Sequence, residues 1–323
     1  MLFAPHRPVR LLALPLALTL LATACGGGNG AGSGSGSAIG EDLSGDIRID
    51  GSSTVAPLST VAAELFQDEH PDVRVTVGTS GTGGGFEKFC NGETDISDAS
   101  RAIKDDEVAA CEAAGIDFEE ITVANDGLSV VVNPKNDWAQ CLTVEELNAI
   151  WAPDSTVDNW SQVRAGFPDV PLQLFGAGTD SGTFDYFTDA INGEEGASRA
   201  DYAQTEDDNI TVQGVSGTPG GLGYFGLSYL EENAGAVRGV AIDGGDGCVE
   251  PTTETVQSGE YQPLGRELFV YPSGEALQRP EVIAFLESYI EKNDAITEEA
   301  LFVPLTGEQR AEAQAKVDSL AGA

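Results

Sequence analysis

The chain has 323 residues, and its 53 Asp and Glu against 16 Lys and Arg give a formal net charge of −37. That balance excludes nucleic acid as an expected partner, because an acidic surface repels a polyanion. The acidic residues are spread along the chain rather than gathered into a tail, which reads as a solvated surface.

Arg7 and Arg10 precede an apolar run from Leu11 to Leu21, interrupted by Pro15. The run is short for a membrane span and has the form of a signal-peptide core. It leads into Leu21-Ala22-Thr23-Ala24-Cys25, small residues before a cysteine, as in a bacterial lipobox. Residues 1–24 are therefore expected to be a signal peptide and Cys25 the lipidated first residue, the alternative being ordinary signal cleavage nearby with Cys25 incidental. Residues 25–43 follow as a flexible Gly- and Ser-rich tether. Several lipid chains on Cys25 would hold the protein outside the cytoplasm on the cell membrane. Positions 44–323 remain, enough for two lobes or one large domain.

With Cys25 set aside, Cys90, Cys111, Cys141 and Cys248 remain, and an even number in an exported chain is expected to pair. Of three connectivities, Cys90–Cys111 with Cys141–Cys248 is favoured. No CxxC spacing occurs and the two histidines are His6, in the leader, and His70. Neither a metal nor a cofactor is expected.

Short strands then alternate with helical patterns. Ile47-Arg48-Ile49 reads as a strand, and Leu58, Val61, Ala62, Leu65 and Phe66 recur at helical spacing behind Pro57. Val73 to Val77 alternates as a strand, followed by the glycine-rich Gly78 to Gly85 and a helical face of Phe86, Phe89 and Cys90. Leu128 to Val132 is a continuous apolar strand. Thr143 and Glu146 form a capping box opening a helix through Leu147, Ile150 and Trp151. Leu172 to Phe175 is a strand running into Gly176 to Thr183, then a helix with Phe184, Phe187 and Ile191, stopped at Asn192-Gly193. Val237 to Ile242 and Glu267 to Tyr271 are expected strands, and Pro280 opens a C-terminal helix. This alternation implies an α/β fold with largely parallel sheets. Two extended segments, Asn125 to Val132 and Leu264 to Tyr271, are placed to cross between lobes.

One pattern occurs three times: strand, loop rich in glycine and hydroxyls, helix. Its instances are Ser52-Ser53-Thr54, Ser80 to Gly85, and Asp180-Ser181-Gly182-Thr183. Any one of these alone is most simply an N-cap. Three at the C-terminal ends of strands point instead to an anion site, since helix starts offer free N–H groups and a partial positive charge. No Lys follows the glycines as in a Walker loop. Arg101 is the cation expected to meet the anion, its alternative being a salt bridge to one of the many carboxylates.

These segments resemble the PstS family, the phosphate-binding receptors of bacterial phosphate ABC importers. The match is carried in order by Asp50 to Val55, Ser80 to Phe86, Thr94 to Arg101, Asp126 to Pro134, Leu142 to Trp151 with Asn159-Trp160, Asp180 to Thr183, and Gly221 to Gly226. The resemblance implies a two-lobe type II periplasmic-binding-protein fold, each lobe a mixed sheet flanked by helices, with the ligand in the cleft. It divides the chain into residues 44–126 plus 265–323 and residues 127–264. It also implies inorganic phosphate as ligand, an ABC permease as partner, a monomer, and no catalysis. Carried over by position, the site comprises the Ser53 hydroxyl, the Thr54 N–H, Thr82 with Ser80 second, Ser181, Gly182 and Thr183; Ser52 and Arg101 join it from the loop pattern and the scarcity of cations.

Two departures from the family stand out: an Asp is expected where Arg101 falls, and an Arg where Ala177 stands. That leaves Asp98, Asp180 and Asp208 as candidates for the carboxylate accepting the phosphate proton, the feature that separates phosphate from sulfate. A sulfate or molybdate receptor is the nearest competing reading. A serine phosphatase or hydrolase is a second, opposed by the lack of a Gly-x-Ser-x-Gly elbow and of a nearby histidine. A surface adhesin or signalling lipoprotein is a third, which would not need three anion-suited loops.

Overall fold

The computed structural model describes residues 43–179 and 181–321. The leader, Cys25, the tether up to residue 42 and Asp180 lie outside the described residues.

The first part of the chain alternates strand and helix: β1 (Gly45–Gly51), α1 (Ala56–Glu69), β2 (Val73–Thr79), α2 (Gly81–Cys90), β3 (Ile96–Ala99) and α3 (Asp105–Ala114). A long strand β4 (Ile121–Val132) leads to β5 (Cys141–Thr143), α4 (Val144–Trp151), α5 (Trp160–Val163), β6 (Gln173–Ala177) and α6 (Gly182–Asn192). Next come β7 (Ala203–Thr205), α7 (Asp208–Gly217), β8 (Gly221–Gly226), α8 (Leu227–Glu232), β9 (Arg238–Gly239), β10 (Ala241–Asp243), β11 (Cys248–Val249) and α9 (Thr253–Gln257). The strand β12 (Gly265–Pro272) returns, and α10 (Pro280–Glu291), α11 (Asn293–Ala300) and α12 (Gly307–Ala321) close the chain.

The principal sheet runs β2-β1-β3-β12-β4-β8-β6-β7, with β9 pairing β4 off that path. β1 pairs in parallel with β2 and β3, and β6 with β7 and β8. β4 and β12 pair antiparallel with each other and with their outer neighbours, so the sheet is mixed. A small sheet β11-β10-β5 sits apart. The expected single strand from Val237 to Ile242 is split: β9 extends the main sheet and β10 joins the small one.

Two large cores flank the paired β4 and β12. One gathers side chains from Leu43 to Ala124 and from Leu268 to Val317. The other draws on Leu128 to Leu264, with Val303 reaching in. The second is organised around Trp151, fully buried, whose ring meets Phe187, Tyr202 and Tyr224 edge-on at 5.1–5.5 Å. Such edge contacts suit the aromatic quadrupole.

Helix ends follow local chemistry. Thr143 caps α4 in a reciprocal box with Glu146, and α6 stops at Gly193 in the left-handed region. Disulfides join Cys90 to Cys111 and Cys141 to Cys248. The first ties α2 to α3, and the second links β5 to β11 across the small sheet. Among the described residues no helix is long and apolar enough to cross a membrane.

Candidate functional site

The three loops lie after β1, β2 and β6, and each is shaped differently. Gly51 ends β1 with φ near +149°, and a Cβ there would lie 2.1 Å from the Asp98 carbonyl oxygen. Glycine lets β1 and β3 close at this point, and the Ser52 N–H donates to that same oxygen at 2.9 Å. Ser52 is buried. Its hydroxyl oxygen accepts the N–H groups of Thr54 (3.2 Å) and Val55 (3.4 Å), bracing the turn. Ser53 and Thr54 face outward into a cleft of about 640 Å³.

The second loop is itself a helix start. α2 begins at Gly81, so the glycines read from sequence as loop form its first turns. A Cβ on Gly85 would lie 2.5 Å from Gly51 Cα, so the glycine run lets α2 pack onto the end of β1. Thr82 and Gly83 line the cleft. Thr82 Oγ1 accepts the Ser100 N–H at 3.2 Å and lies 3.0 Å from Ser100 Oγ. Ser80 is not on the wall of this cleft. Its hydroxyl donates to Asp50, whose other carboxylate oxygen accepts from Lys88 Nζ at 2.7 Å.

The third loop caps α6. Ser181 Oγ accepts the Thr183 N–H at 3.2 Å. Gly182 faces the first loop directly: a Cβ on it would sit 2.6 Å from Thr54 Oγ1 and 3.2 Å from Ser53 Oγ. Loops one and three therefore touch. Ser181 and Thr183 line a smaller cleft of about 250 Å³ with Asp126, Asp208 and Tyr229, which shares Ser53, Thr54 and Gly182 with the larger one.

Two arginines line the larger cleft. Arg101 spends both Nη atoms on Glu107, at 2.8 and 2.7 Å, and its guanidinium carbon lies 5.8 Å from the Phe86 ring centroid. Arg266, on β12, has no counterpart among the residues picked out from the sequence. Its Nε donates to Asp126 Oδ2 at 3.1 Å, its Nη1 to Ser100 O at 3.3 Å and its Nη2 to Thr54 Oγ1 at 3.2 Å. Its guanidinium carbon sits 3.5 Å from the ring centroid of Tyr186 on α6. Arg266 and Asp126 are direct cross-strand partners in the β12–β4 ladder. Nothing in the local sequence distinguishes a strand arginine with this role. The scarcity of cations was the one available signal.

Carboxylates also enter the cleft, as Asp185, Asp189 and Glu195. Burial, with Glu195 nearby, pushes Asp185 up to about 6 despite the pull of Arg266. Burial likewise holds Asp126 above the ordinary carboxylate range, Arg266 offsetting part of the rise. Of the three acceptor candidates, Asp180 lies outside the described residues. Asp208 lines the smaller cleft, pushed up to about 6 by burial and by Asp207 and Glu206. Asp98 is fully buried and lines neither cleft, its Oδ1 accepting from Ser59 Oγ at 2.9 Å. Ala177, where the family pattern expects an arginine, ends β6 with its carbonyl accepting from the Tyr202 hydroxyl at 2.7 Å.

The arrangement supplies hydroxyl and backbone donors from two facing helix starts, with guanidinium groups alongside. That set suits an oxyanion. Comparison with known proteins agrees in kind. The PBP superfamily domain matches residues 31–291. Protein SphX of Synechococcus elongatus is 46% identical over 262 residues, 80% of this chain and 77% of its own. The phosphate-binding protein PstS of Staphylococcus saprophyticus is 36% identical over 280 residues, 86% of each chain. Among solved structures, a possible phosphate-binding protein from Planctomyces limnophilus superposes with a TM-score of 0.83 at 50% identity, covering 86% of this chain and 99% of that one. An ABC-type phosphate transport receptor from Vibrio cholerae shares the fold with a TM-score of 0.66 at 24% identity, covering 80% and 99%.

Proposed function

The chain belongs to the PstS-type phosphate-binding receptors of the PBP superfamily, and from that premise we propose that it captures inorganic phosphate outside the cytoplasm and delivers it to an ABC permease. The observation that carries this reading is the meeting of Ser53 and Thr54 with Gly182 at the rim shared by both clefts. Two helix starts from different cores meet there, so an anion in the cleft beside their contact reaches donors from both. We place the bound anion against Ser53, Thr54, Thr82 and Gly182, with Ser181 and Thr183 shaping the third loop. Ser52 borders the cleft while bracing the first loop, and Ser80 braces the second from behind.

The lobes in this reading are residues 44–126 with 265–323, and residues 127–264. The separate membership of the two cores supports that division, with β4 and β12 as the crossing strands. Ligand contacts from both sides favour a closed form, and the permease recognises that form. The hydroxyls act as donors. Among the described residues the histidine is His70, packed against Phe66 and remote from the loops, so no imidazole is set beside Ser181 to activate it.

Calorimetry on the mature chain tests the ligand. Phosphate is expected to bind tightly and sulfate to give no saturable heat; equal heats for both anions overturn the phosphate assignment in favour of a general oxyanion receptor. The N-terminal anchor is part of the same proposal, resting on the lipobox pattern ending at Cys25. Cys25→Ser is expected to move the protein from the membrane fraction to the medium, and retention on the membrane removes lipid from the account.

A further inference from the structure

Both arginines of the cleft could in principle hold an anion, and their surroundings separate them. Arg101 is committed. Its two terminal nitrogens pair with the two oxygens of Glu107, and Glu107 is itself fixed by accepting the Lys104 N–H at 2.8 Å. An anion at Arg101 would compete with a carboxylate already seated in bidentate geometry.

Arg266 stands differently. Its Nε meets Asp126, its Nη1 Ser100 O and its Nη2 Thr54 Oγ1, and Nη2 also lies 3.1 Å from Asp126 Oδ2. A guanidinium has five N–H groups, and Nη1, whose one partner is Ser100 O, keeps a donor to spare. Its side chain is 17% exposed against 32% for Arg101, so water screens its charge less. Its plane is also held in advance. Tyr186 lies against it, and the Tyr186 hydroxyl is fixed by donating to Pro263 O at 2.8 Å. A group ordered before the ligand arrives loses little entropy on binding. Its contacts reach the first loop through Thr54, the end of β3 through Ser100, and α6 through Tyr186.

We propose that Arg266, rather than Arg101, is the cation that meets the bound oxyanion, with Asp126 and Tyr186 as positioning residues that hold its guanidinium in register. The inference rests on the phosphate-receptor reading above. Asp126 neutralises Arg266 in part, and its buried oxygens keep the fork from turning toward the acidic wall of Asp185 and Asp189. Tyr186 sets the ring plane against which the fork lies.

Calorimetry with inorganic phosphate tests the proposal on the wild type, on Arg266→Gln combined with Asp126→Asn, and on Arg101→Gln. The double variant removes the pair without leaving a bare buried carboxylate. Loss of charge-assisted bonds predicts an affinity about 100-fold weaker for the double variant and less than about tenfold weaker for Arg101→Gln. Should the double variant melt at a markedly lower temperature, Arg266→Lys replaces it. That change keeps the charge and loses the fork and the stack, and is expected to cost about tenfold or more. Tyr186→Leu is expected to weaken binding about tenfold, and Tyr186→Phe, which keeps the ring, to restore most of it. Arg266 variants that bind within about threefold of wild type, a difference under about 1 kcal/mol, overturn the proposal, as does a larger loss in Arg101→Gln. A wild type that takes no phosphate overturns the reading beneath it, which is a different result from a wild type that binds beside unaffected variants.

Discussion

Ser52 and Ser53 are adjacent and chemically identical, and both border the cleft, yet the buried Ser52 hydroxyl is spent on bracing the turn. Their residue type was legible in sequence as a helix-start signal. How the turn sets the two hydroxyls depends on Gly51 at the end of β1 and on the Asp98 carbonyl, which arrives from β3. Ser80 and Thr82 divide in the same way, because Asp50 and Lys88 take up the Ser80 hydroxyl. Asp98 carries a further consequence. Its Oδ2 has no hydrogen-bond partner among the described residues, and burial, together with Asp50, pushes the carboxyl up to about 8 against the pull of Ser59. The ordinary value is 3.8, so between these values the folded chain keeps a proton that the unfolded chain has released. Stability from this group is therefore greatest at acid pH and declines as pH rises through that window. Asp98→Asn keeps an acceptor for Ser59 and removes the titration. At neutral pH it is expected to stabilise the fold, because the variant has no proton to take up on folding. Thermal melts across the window check this: a variant with the wild-type slope assigns the pH dependence elsewhere.

At the scale of elements, much of the order of strands and helices could be read from periodicity, and the caps at Thr143 and Gly193 from residue type. The misreadings have physical causes. The glycine run after β2 folds as helix because its missing side chains allow contact with Gly51, a tertiary gain that outweighs poor helix propensity. The run from Val237 to Ile242 is mostly apolar, with Arg238 within it, but its two halves pair with different strands, β4 and β5. The last helix, α12, is mostly polar and buries little beyond Ala313 and Val317, so its pattern is weak. The start of α6 offers a sharp test. Gly182→Ala should leave the helix as stable as before, since alanine favours helices. Its methyl would stand 2.6 Å from Thr54 Oγ1 and push loops one and three apart. Phosphate affinity is expected to fall by about tenfold or more, as for a group misplaced by a fraction of an ångström. Unchanged affinity in calorimetry would mean that the contact plays no part in holding the anion.

Across the whole molecule, the anion site coexists with a net charge of −37 because the two act over different ranges. Exposed charges are screened beyond about 8 Å in physiological salt, while the donors of the cleft work at contact distance. The family could be read from the ordered set of motifs. Arg266 could not, because its role exists only once β12 lies beside β4 and brings it to Asp126, 140 positions earlier in the chain.

That same pairing of distant segments bears on the order of assembly. The core built from Leu128 to Leu264 is nearly contiguous in the chain, whereas the other needs Ile47 and Val75 together with Val282, Tyr289 and Val317. A polypeptide emerging N-terminus first holds the components of the contiguous core well before those of the split one. Until α10 arrives, α1 lacks part of the apolar surface that covers it, and the wall bearing Ser53 and Thr54 is backed only by the first three strands and α1. A chain cut short before β12 thus forfeits both Arg266 and the packing beneath the first loop, and only the full-length product has a receptor's cleft.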